Sequence, residues 1–482
     1  MRVLVAGGGS SGLIAAITLK KYLNIKVDLV KSDKIGTVGV GEGSTEHFKE
    51  FLQLSGIDHT SIIKECGAVY KAGVFFKNFS SKSYMHSTAY PFDIKAGQYR
   101  YLYAHQIGFN DSYLQPNWIK NNCIPKWYMY NSFEAPTNQF HFDTFKLNDF
   151  LINFAKSIGI TIYDDEILNV NLDEYGSISS LTGKKTTYTY DFYIDSTGFS
   201  KLLISKLGGK WKSFKKYMKM DSAVVFPTEE EDEYNLWSLA QGLNSGWLFK
   251  VPVQGRHGNG YVFDSSHITL DEAQKEIEDL FGKKINFAKS FTFDPGFIDK
   301  AWIKNCVAIG LSSLFVEPLE ASAIGISIQQ SFLLMHRLSN YDNKSIDSYN
   351  KSFEDLAINV RDFIVLHYVS DRRDTPFWKD VSTIDLPDSL QYKLDMWKTR
   401  LPIAEDFNNV VNYGMFQDSN FILVMEGQDL FNREMIKKEF LLKSDLIVKT
   451  AKDTIANLKL LDANLKTVGH KEFINYVKGL QN

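Results

Sequence analysis

The chain has 482 residues, of which 44% are hydrophobic and 23% are charged. These fractions are close to globular averages and exclude a disordered or fibrous protein, and the length suffices for two or three domains. The net charge of −3, from 54 basic and 57 acidic residues, gives no general attraction for nucleic acid or an anionic membrane. We therefore expect a globular protein that binds neither.

The three cysteines, Cys66, Cys123 and Cys306, lie far apart in the chain. Their odd number and wide spacing predict no disulfide framework, and no Cys/His cluster indicates a zinc or other metal site. No apolar run approaches the about 20 residues that a membrane-spanning helix needs, and the first residues lead into a strand pattern rather than a signal peptide. The sequence therefore predicts a cytoplasmic protein without a bound metal.

The first elements of the chain predict a βαβ unit. Arg2–Ala6 (RVLVA) is typical of a buried strand, Leu13–Tyr22 has helical periodicity, and Ile25–Val30 (IKVDLV) is typical of a second strand. Between the first strand and the helix lies a turn with the spacing G-x-G-x-x-G, formed by Gly7, Gly8, Gly9, Ser10, Ser11 and Gly12. Glycines let backbone N–H groups approach a pyrophosphate there, and the helix N-terminus favours its negative charge. The turn therefore predicts a dinucleotide-binding site.

Lys31 stands at the end of the second strand, where a dinucleotide-binding chain usually has an acidic residue for the ribose hydroxyls. Recognition of the ribose must then differ, and Asp33 or Ser32 could provide it. A solvent-facing Lys31 without a role is the alternative.

Two later segments favour FAD over NAD. Asp191–Phe199 (DFYIDSTGF) is a predicted strand that runs into an Asp-Ser-Thr-Gly turn, and Asn305–Leu319 (NCVAIGLSSLFVEPL) is a predicted strand followed by a glycine and a Pro-Leu helix start. FAD-binding chains of the hydroxylase type return to their cofactor in this way, whereas an NAD domain completes its sheet consecutively. The sequence has no second G-x-G-x-x-G that would indicate an NAD(P)H site.

The remaining patterns complete an α/β fold with α+β elements. They predict strands at Ala72–Phe79 and Gly246–Phe263, helices at His47–Ile63, Phe142–Ile158 and Ala321–Leu338, and mainly helices from Ser348 onward. We expect a Rossmann-like FAD/NAD(P)-binding domain of the hydroxylase type that is interleaved with substrate-binding sheet segments over residues 1–347. Residues 348–482 are expected to form a mostly helical region that completes the substrate site.

Six segments resemble the tryptophan-halogenase family of flavin-dependent halogenases. In chain order, over roughly residues 1–380, they are Gly39–Thr45 (GVGEGST), Gly67–Phe79 (GAVYKAGVFFKNF), Phe142–Leu151 (FDTFKLNDFL), Ile194–Phe199 (IDSTGF), Phe315–Gly325 (FVEPLEASAIG) and His367–Trp378 (HYVSDRRDTPFW). The lysine-rich composition would suit a viral member. The resemblance implies an enzyme that uses FADH2, O2 and a halide to form hypohalous acid, which halogenates an electron-rich aromatic or heteroaromatic small molecule. It also implies a separate NAD(P)H-dependent flavin reductase as the source of FADH2.

The resemblance assigns catalysis to Lys71 and Glu320. The ammonium group of Lys71 would hydrogen-bond hypohalous acid and make the halogen more electrophilic; alternatively, the neutral amine would form a haloamine. Glu320 would stabilise the cationic ring intermediate and take its proton, or it would orient Lys71.

The same resemblance assigns the ligand contacts. Ser322 and Ala323 take the positions of the family's halide-binding threonine and glycine, at a helix start that suits an anion. Ala321 stands where many members have a serine. Besides the glycine-rich turn, the flavin contacts are expected at Gly41, Glu42, Ile167, Gly198, Leu311 and Ile324.

The substrate side departs from the family pattern. Trp247 and Phe249 correspond to the two tryptophans of a Trp-x-Trp-x-Ile-Pro motif, with Phe249 replacing the second. We expect them to form a wall of the substrate site, and the replacement keeps a hydroxylating monooxygenase open as an alternative. A flavin-binding module without catalysis is the non-enzyme alternative.

The C-terminal region does not supply an evident clamp for free tryptophan. Trp397, Tyr413 and Phe416 could form an aromatic wall, or they could be core residues. A small aromatic compound or phenol other than free tryptophan is the favoured substrate. His367 and Arg373 are interpreted as helix-end and packing residues. The C-terminal helices could also dock a second copy of the chain.

Overall fold

The computed structural model describes residues 1–34, 43–87, 117–131, 134–410 and 413–480, so Gly41 and Glu42 lie outside the described residues. In chain order the strands are β1 (Arg2–Ala6), β2 (Lys26–Lys31), β3 (Val69–Lys71), β4 (Gly73–Lys77), β5 (Tyr84–Ser87), β6 (Cys123–Pro125), β7 (Gln139–His141), β8 (Thr161–Asp164), β9 (Ile167–Leu172), β10 (Ile178–Gly183), β11 (Thr187–Tyr188), β12 (Phe192–Asp195), β13 (Trp211–Ser213), β14 (Ser222–Glu229), β15 (Trp237–Gly242), β16 (Gly246–Val253), β17 (Arg256–Phe263), β18 (Lys289–Thr292), β19 (Gly296–Ile298), β20 (Trp302–Ile303), β21 (Cys306–Ala308), β22 (Leu314–Phe315) and β23 (Thr467–Gly469).

The α-helices lie between and after these strands. They are α1 (Ser10–Tyr22), α2 (His47–Ser55), α3 (His59–Glu65), α4 (Asn117–Lys120), α5 (Trp127–Tyr130), α6 (Thr144–Ser157), α7 (Leu202–Lys206), α8 (Leu270–Phe281), α9 (Ser322–Arg337), α10 (Asn343–Leu366), α11 (Pro376–Val381), α12 (Asp388–Trp397), α13 (Asp418–Gly427), α14 (Arg433–Leu441), α15 (Asp445–Asn464) and α16 (His470–Gly479). Among the described residues, none of these helices is long and apolar enough to cross a bilayer.

A six-stranded sheet with the order β20-β21-β12-β1-β2-β8 contains the predicted βαβ unit. β1 pairs in parallel with β2 on one side and with β12 on the other, and the β2–β8 and β12–β21 pairs are also parallel. β20 joins the edge as the antiparallel partner of β21. Because the chain moves outward from β1 in both directions, the carboxyl ends of β1 and β12 form the topological switch point, where sheets of this type bind ligands.

A seven-stranded sheet with the order β18-β14-β17-β16-β15-β4-β5 forms the second layer of the site. Its pairs are antiparallel except for the parallel pair of β15 and β4. Beside it, the short β3 and β7 form an antiparallel ribbon of their own. This ribbon and β5 bring Lys71 and His86 from neighbouring segments of the chain into one region.

Two predicted elements are each divided in the structure. The single strand predicted at Gly246–Phe263 is the hairpin of β16 and β17, because Gly255 has a φ of 87° and reverses the chain between Val253 and Arg256. The single helix predicted at His47–Ile63 is α2 followed by α3. Gly56, with a φ of 74°, ends the first helix in the left-handed conformation that glycine tolerates.

The C-terminal helices share a core with the sheets. The boundary predicted after residue 347 lies inside α10, which runs without interruption from Asn343 to Leu366. One cluster of buried hydrophobic residues extends from Val3 in β1 to Val477 in α16. The helical region therefore packs directly on the remainder of the chain.

Candidate active site

The glycine-rich turn is built by close backbone contacts at its two ends. Gly7 has a φ of 117°, and a Cβ atom there would lie 2.1 Å from the carbonyl oxygen of Ser196, at the end of β12. A Cβ atom on Gly12 would lie 2.1 Å from the carbonyl oxygen of Gly7. Both positions need glycine for the turn itself, because no side chain fits there.

The middle of the turn has room for a ligand. Gly9 has a φ of −74°, and a Cβ atom there would meet no described atom within 4 Å. The hydroxyl oxygen of Ser10, which begins α1, is buried and has no hydrogen-bond partner among the described residues. Space and an unused hydroxyl at a helix N-terminus fit the diphosphate of a dinucleotide. The residues of the turn therefore fit FAD.

This contrast between the glycines gives a first prediction. Gly9→Val should weaken FAD binding by about tenfold or more while leaving the thermal midpoint of the FAD-free protein nearly unchanged, because the new side chain enters only the ligand's space. Gly12→Val should instead lower that midpoint, because its Cβ atom would collide with the Gly7 backbone. Flavin titration and thermal unfolding of the two variants check this. Unchanged FAD affinity in Gly9→Val would contradict the assignment of the turn.

Lys31 is in contact with this turn. A Cβ atom on Gly8 would lie 2.4 Å from the Cβ atom of Lys31, so the lysine packs directly on the turn. Its ammonium group forms an ion pair with Asp33, whose backbone N–H donates to Asp164 Oδ1 at 3.1 Å. The side chain of Lys31 is 23% exposed, so its stem packs on the turn while its ammonium group reaches the exposed Asp33. Asp33, which is 66% exposed, or Ser32 remains the predicted ribose contact.

The later strand–glycine turns return to the start of α1. Gly198, with a φ of 69°, follows β12, and its carbonyl oxygen accepts from Ser312 Oγ at 3.2 Å. Leu311 lies in the short 3-10 helix Gly310–Ser312, and a Cβ atom on Gly310 would lie 2.4 Å from Ser11 Oγ. The predicted residues Ser11, Gly198 and Leu311 are thus on elements that meet at the switch point.

Two predicted flavin contacts lie at the edges of this region. Ile167 begins β9 and is partly buried against a cluster that includes Ala6, the last residue of β1, and Val30 of β2. Ile324 is buried in the first turn of α9. Neither position conflicts with a flavin contact.

Lys71 is almost completely buried at the end of β3. Its side chain is 1% exposed, and its ammonium group donates to the carbonyl oxygen of Ser44 at 2.8 Å. Burial disfavours the charged form and lowers the pKa of Lys71 to about 8, although Glu320 and Glu46 oppose the shift. Both protonation states of Lys71 are therefore accessible near neutral pH.

Glu320 is also buried, at 4% exposure, and two histidines bind the same oxygen atom of its carboxylate. Oε1 lies 2.9 Å from His86 Nδ1 and 2.9 Å from His367 Nε2. Burial alone would raise the pKa of Glu320, but the two imidazoles outweigh it and lower the pKa to about 2. Glu320 is consequently held as a carboxylate.

One small pocket joins the two predicted catalytic residues. Its lining consists of Thr45, Glu46, Lys71, Gly73, Val74, His86, Gln139, Glu320, Met415, Phe416 and Asn420. Glu46 brings a second carboxyl group to this pocket. Burial raises the pKa of Glu46 to about 7, and Glu50 contributes to the increase, whereas the positive charge of Lys71 opposes it. The pocket therefore holds one carboxylate and two groups that titrate near neutral pH.

A larger cavity of about 630 Å³ adjoins the small pocket and shares Glu46, Met415 and Asn420 with it. Of the three aromatic residues predicted as a substrate wall, Tyr413 lines this cavity and Phe416 lines the small pocket. Trp397 is a core residue, because it is 1% exposed and packs against Phe407 and Phe421.

The start of α9 lies between the flavin side and the lysine side. Ala321 adopts the left-handed conformation with a φ of 54°, Ser322 is buried, and Ala323 is exposed. A Cβ atom on Gly43 would lie 3.1 Å from the Ala321 Cβ atom and 3.8 Å from Lys71 Nζ. The predicted halide residues thus directly follow Ala321, which lies beside Gly43 and close to Lys71.

The predicted substrate wall of Trp247 and Phe249 does not line the pocket among the residues described there. Trp247 is 1% exposed on β16 and packs against Phe79, and Phe249 lies over Gly260 of β17. These positions correspond to strand packing. Successive side chains point to opposite faces of a strand, so Trp247 and Phe249, two residues apart, share one face of β16. The spacing does not determine which cavity that face borders.

Several residues of the site have no motif in the sequence. Glu46 follows the Gly39–Thr45 segment, His86 lies on β5, and Asn420 lies on α13. His367, interpreted from the sequence as a packing residue, ends α10 with its Nε2 on Glu320. The sequence offers a signal for two of them, because Glu46 directly follows one family segment and His367 begins another, whereas His86 and Asn420 lie outside the six segments.

Comparison with known proteins agrees with this architecture. The profile of the tryptophan halogenase family matches residues 2–439, and the chain therefore belongs to that family. Tryptophan 6-halogenase SttH of Streptomyces toxytricini is 29% identical over 456 residues, which cover 84% of this chain and 85% of the relative. Tryptophan 7-halogenase RebH of Lentzea aerocolonigenes is 29% identical over 481 residues, with 89% of each chain covered.

Solved structures share the fold. A tryptophan halogenase from Shewanella frigidimarina superposes with a TM-score of 0.90 at 24% identity, covering 99% of this chain and 97% of that one. A flavin-dependent halogenase from Xanthomonas campestris has a TM-score of 0.86 at 28% identity and covers 98% and 97%, respectively. The predicted α/β fold class and the assignment to a family of flavin-dependent oxidoreductases are confirmed.

Proposed function

We propose that this enzyme uses FADH2, O2 and a halide to halogenate an electron-rich aromatic or heteroaromatic small molecule through Lys71 and Glu320. The observation that carries the proposal is that both side chains are buried and line one pocket. Reduced FAD, when bound at the glycine-rich turn, supplies the reaction with O2 that converts halide into hypohalous acid. Gly41 and Glu42 remain predicted flavin contacts, together with Ile167, Gly198, Leu311 and Ile324.

Lys71 presents the halogen to the substrate. Because burial lowers its pKa to about 8, Lys71 is mainly ammonium at pH 7 and its neutral amine is also accessible. The ammonium form has three N–H donors, of which one is directed to Ser44, so it can hydrogen-bond hypohalous acid. The neutral fraction keeps the haloamine route open.

Glu320 stabilises the positive charge of the ring intermediate and takes its proton. The C–halogen bond forms as the O–halogen bond breaks, and the leaving hydroxide takes a proton from the Lys71 ammonium to become water. The ring C–H bond then breaks with its proton on Glu320, from which Lys71 is reprotonated, so the protons balance. A carboxylate with a pKa of about 2 stays ionised over the whole working range, so electrostatic stabilisation is available at any pH near neutral. A weak base suffices for a cationic ring intermediate, because that intermediate is itself strongly acidic.

The halide site is assigned to Ser322 and Ala323 at the start of the 16-residue helix α9. The first N–H groups of a helix have no intrahelical acceptor and favour an anion. The aromatic substrate is assigned to the larger cavity, from which it would reach the small pocket past the shared Glu46, Met415 and Asn420. Indoles and phenols both belong to the substrate class that this chemistry admits.

The test uses chemically reduced FAD, O2 and each of chloride, bromide and iodide with a panel of indoles and phenols. Mass spectrometry should detect halogenated product only when enzyme, halide and reduced FAD are all present. The replacement of the motif's second tryptophan by Phe249 favours one alternative, a hydroxylating monooxygenase. Product that gains oxygen regardless of the halide would support that alternative and contradict the proposal.

A separate reductase is proposed as the source of FADH2, and a cytoplasmic location would fit its supply of NAD(P)H. We therefore expect no halogenated product when NADH and FAD replace chemically reduced FAD, because the sequence has one G-x-G-x-x-G turn, which the flavin occupies. Adding a flavin reductase should restore the product. Sustained turnover with NADH alone, measured as NADH consumed and product formed, would contradict the two-component arrangement.

A further inference from the structure

The imidazole of His367 lies between two hydrogen-bond acceptors. Its Nδ1 is 2.8 Å from the backbone carbonyl oxygen of Phe363, and its Nε2 is 2.9 Å from Glu320 Oε1. A carbonyl oxygen can only accept, so Nδ1 must bear a proton. The contact with Glu320 then needs a second proton, which resides either on Nε2, giving an imidazolium–carboxylate pair, or on Glu320, giving a neutral pair.

The imidazole of His86 has a different proton arrangement. Its Nδ1 is 2.9 Å from the same Glu320 oxygen, and its Nε2 is 3.1 Å from Asn420 Nδ2. The Asn420 amide is oriented by the backbone N–H of Gln417, which donates to Asn420 Oδ1 at 2.8 Å. The amide nitrogen therefore faces His86 and donates, so Nε2 accepts. His86 is a neutral imidazole that donates from Nδ1.

We propose that His367 is a positioning residue that acts as the permanent counter-ion of Glu320, while His86 is a neutral donor that only orients the carboxylate. This inference rests on the proposed function, because it concerns how Glu320 is kept ready for it. A buried carboxylate needs a charged partner to stay ionised. Lys71 is the other cation in the pocket, but it handles the halogen and is neutral in part of the population.

The other ionisable groups around Glu320 agree with this division. Tyr84 lies on the same strand as His86, and burial together with the charge of Glu320 raises its pKa well above the ordinary value, so it remains a neutral phenol. Glu46, whose carboxyl group also lines the pocket, adds no positive charge. Of the described groups facing Glu320, which are Lys71, His86, Tyr84, Glu46 and His367, only His367 is held between two acceptors at full burial.

The experiment compares His367→Gln with His86→Gln. Glutamine can donate one hydrogen bond at either position but cannot be a cation. His367→Gln therefore removes a positive charge, whereas His86→Gln removes none. The measured quantity is halogenated product per FADH2 oxidised across pH 5 to 9, which cancels the pH dependence of FADH2 oxidation itself. Thermal unfolding reports whether each variant is folded.

In His367→Gln the pKa of Glu320 should rise, because Glu320 loses the positive charge of its partner and stays buried. The wild-type yield should show no Glu320 limb between pH 5 and 9, because its pKa of about 2 lies below that range, whereas in His367→Gln an acidic limb should enter the range and yield should recover at higher pH. In His86→Gln no such limb should appear, with a lower yield at every pH. Absence of the limb from both variants would overturn the proposal, as would its appearance in both.

Nitrogen-15 spectra of the histidine-labelled wild-type enzyme provide a measurement that needs no variant. We expect one buried imidazole with both nitrogens protonated at pH 7 and a second in the Nδ1–H tautomer, assigned by their loss in the two variants or, for a variant that does not fold, by through-bond coupling. A neutral His367 at pH 7 would overturn the proposal. If the wild-type enzyme made no halogenated product, the proposed function would fail, and these spectra would still decide the charge of His367.

Discussion

Lys71→Met should reduce halogenated product to below about 1% of the wild-type yield while FAD affinity and the rate at which O2 oxidises FADH2 stay nearly unchanged. The two functions are separable because Lys71 lies on β3 in the pocket with Glu320, whereas the glycine-rich turn lies at the end of β1. Methionine is chosen because it retains most of the lysine's volume and carries no amine. The variant therefore removes hydrogen bonding to hypohalous acid and haloamine formation together.

The measurement is rapid-mixing flavin spectroscopy beside product yield, with a scavenger present that consumes free hypohalous acid. Lys49→Met is the matched control, because Lys49 is a half-buried lysine on α2 that bonds Asn138 at 3.0 Å and is absent from the described lining of either pocket. The control should keep the wild-type yield. A Lys71→Met enzyme with wild-type yield and regiochemistry under the scavenger would reduce Lys71 to a packed lysine.

The parts of the site that the sequence predicts are those held by local backbone chemistry. The G-x-G-x-x-G turn can be recognised in the sequence because Gly7 and Gly12 must be glycines. Gly12 has no room for a side chain beside Gly7, and Gly7 has none beside Ser196 at the end of the neighbouring strand β12. Lys71 and Glu320 were proposed from resemblance alone, since neither a lysine in a strand nor a glutamate before a helix is unusual in itself. Their meeting in one pocket depends on the pairing of β3 with β7 and on the entry angle of α9.

The rest of the site could not be predicted because its contacts join distant segments. His86 meets Asn420 across 334 positions in the chain, and neither has a recognisable sequence context. The parallel pairing of β4 with β15 that positions β5 also joins distant segments, and strand propensity contains no information about it. The sequence around His367 predicts a packing role, because a helix end and a following Thr-Pro explain its neighbourhood, yet the structure brings its ring to Glu320 as well.

Glu320→Gln should lower the yield of halogenated product by about 10²–10⁴-fold without abolishing FAD binding. The amide retains the size of the side chain but loses both the negative charge that stabilises the ring intermediate and the base that accepts its proton. The hydrogen bonding also becomes worse. One amide oxygen can accept from both His86 and His367, but the charge that balanced the second of these histidines is gone.

Single-turnover product formation with reduced FAD, a fixed halide and the best aromatic substrate measures this loss. Glu426→Gln is the control, because Glu426 is a carboxylate of 9% exposure that pairs with Arg433 at 2.7 Å and is absent from the described lining of either pocket. The yield of Glu426→Gln should equal that of the wild type, whatever its thermal midpoint.

Because Lys71 still presents the halogen in Glu320→Gln, consumption of hypohalous acid by the scavenger should increase as product falls. A Glu320→Gln enzyme with full yield would mean that the ring proton leaves to another group, and Glu46, the second carboxyl group of the pocket, would be the next residue to replace.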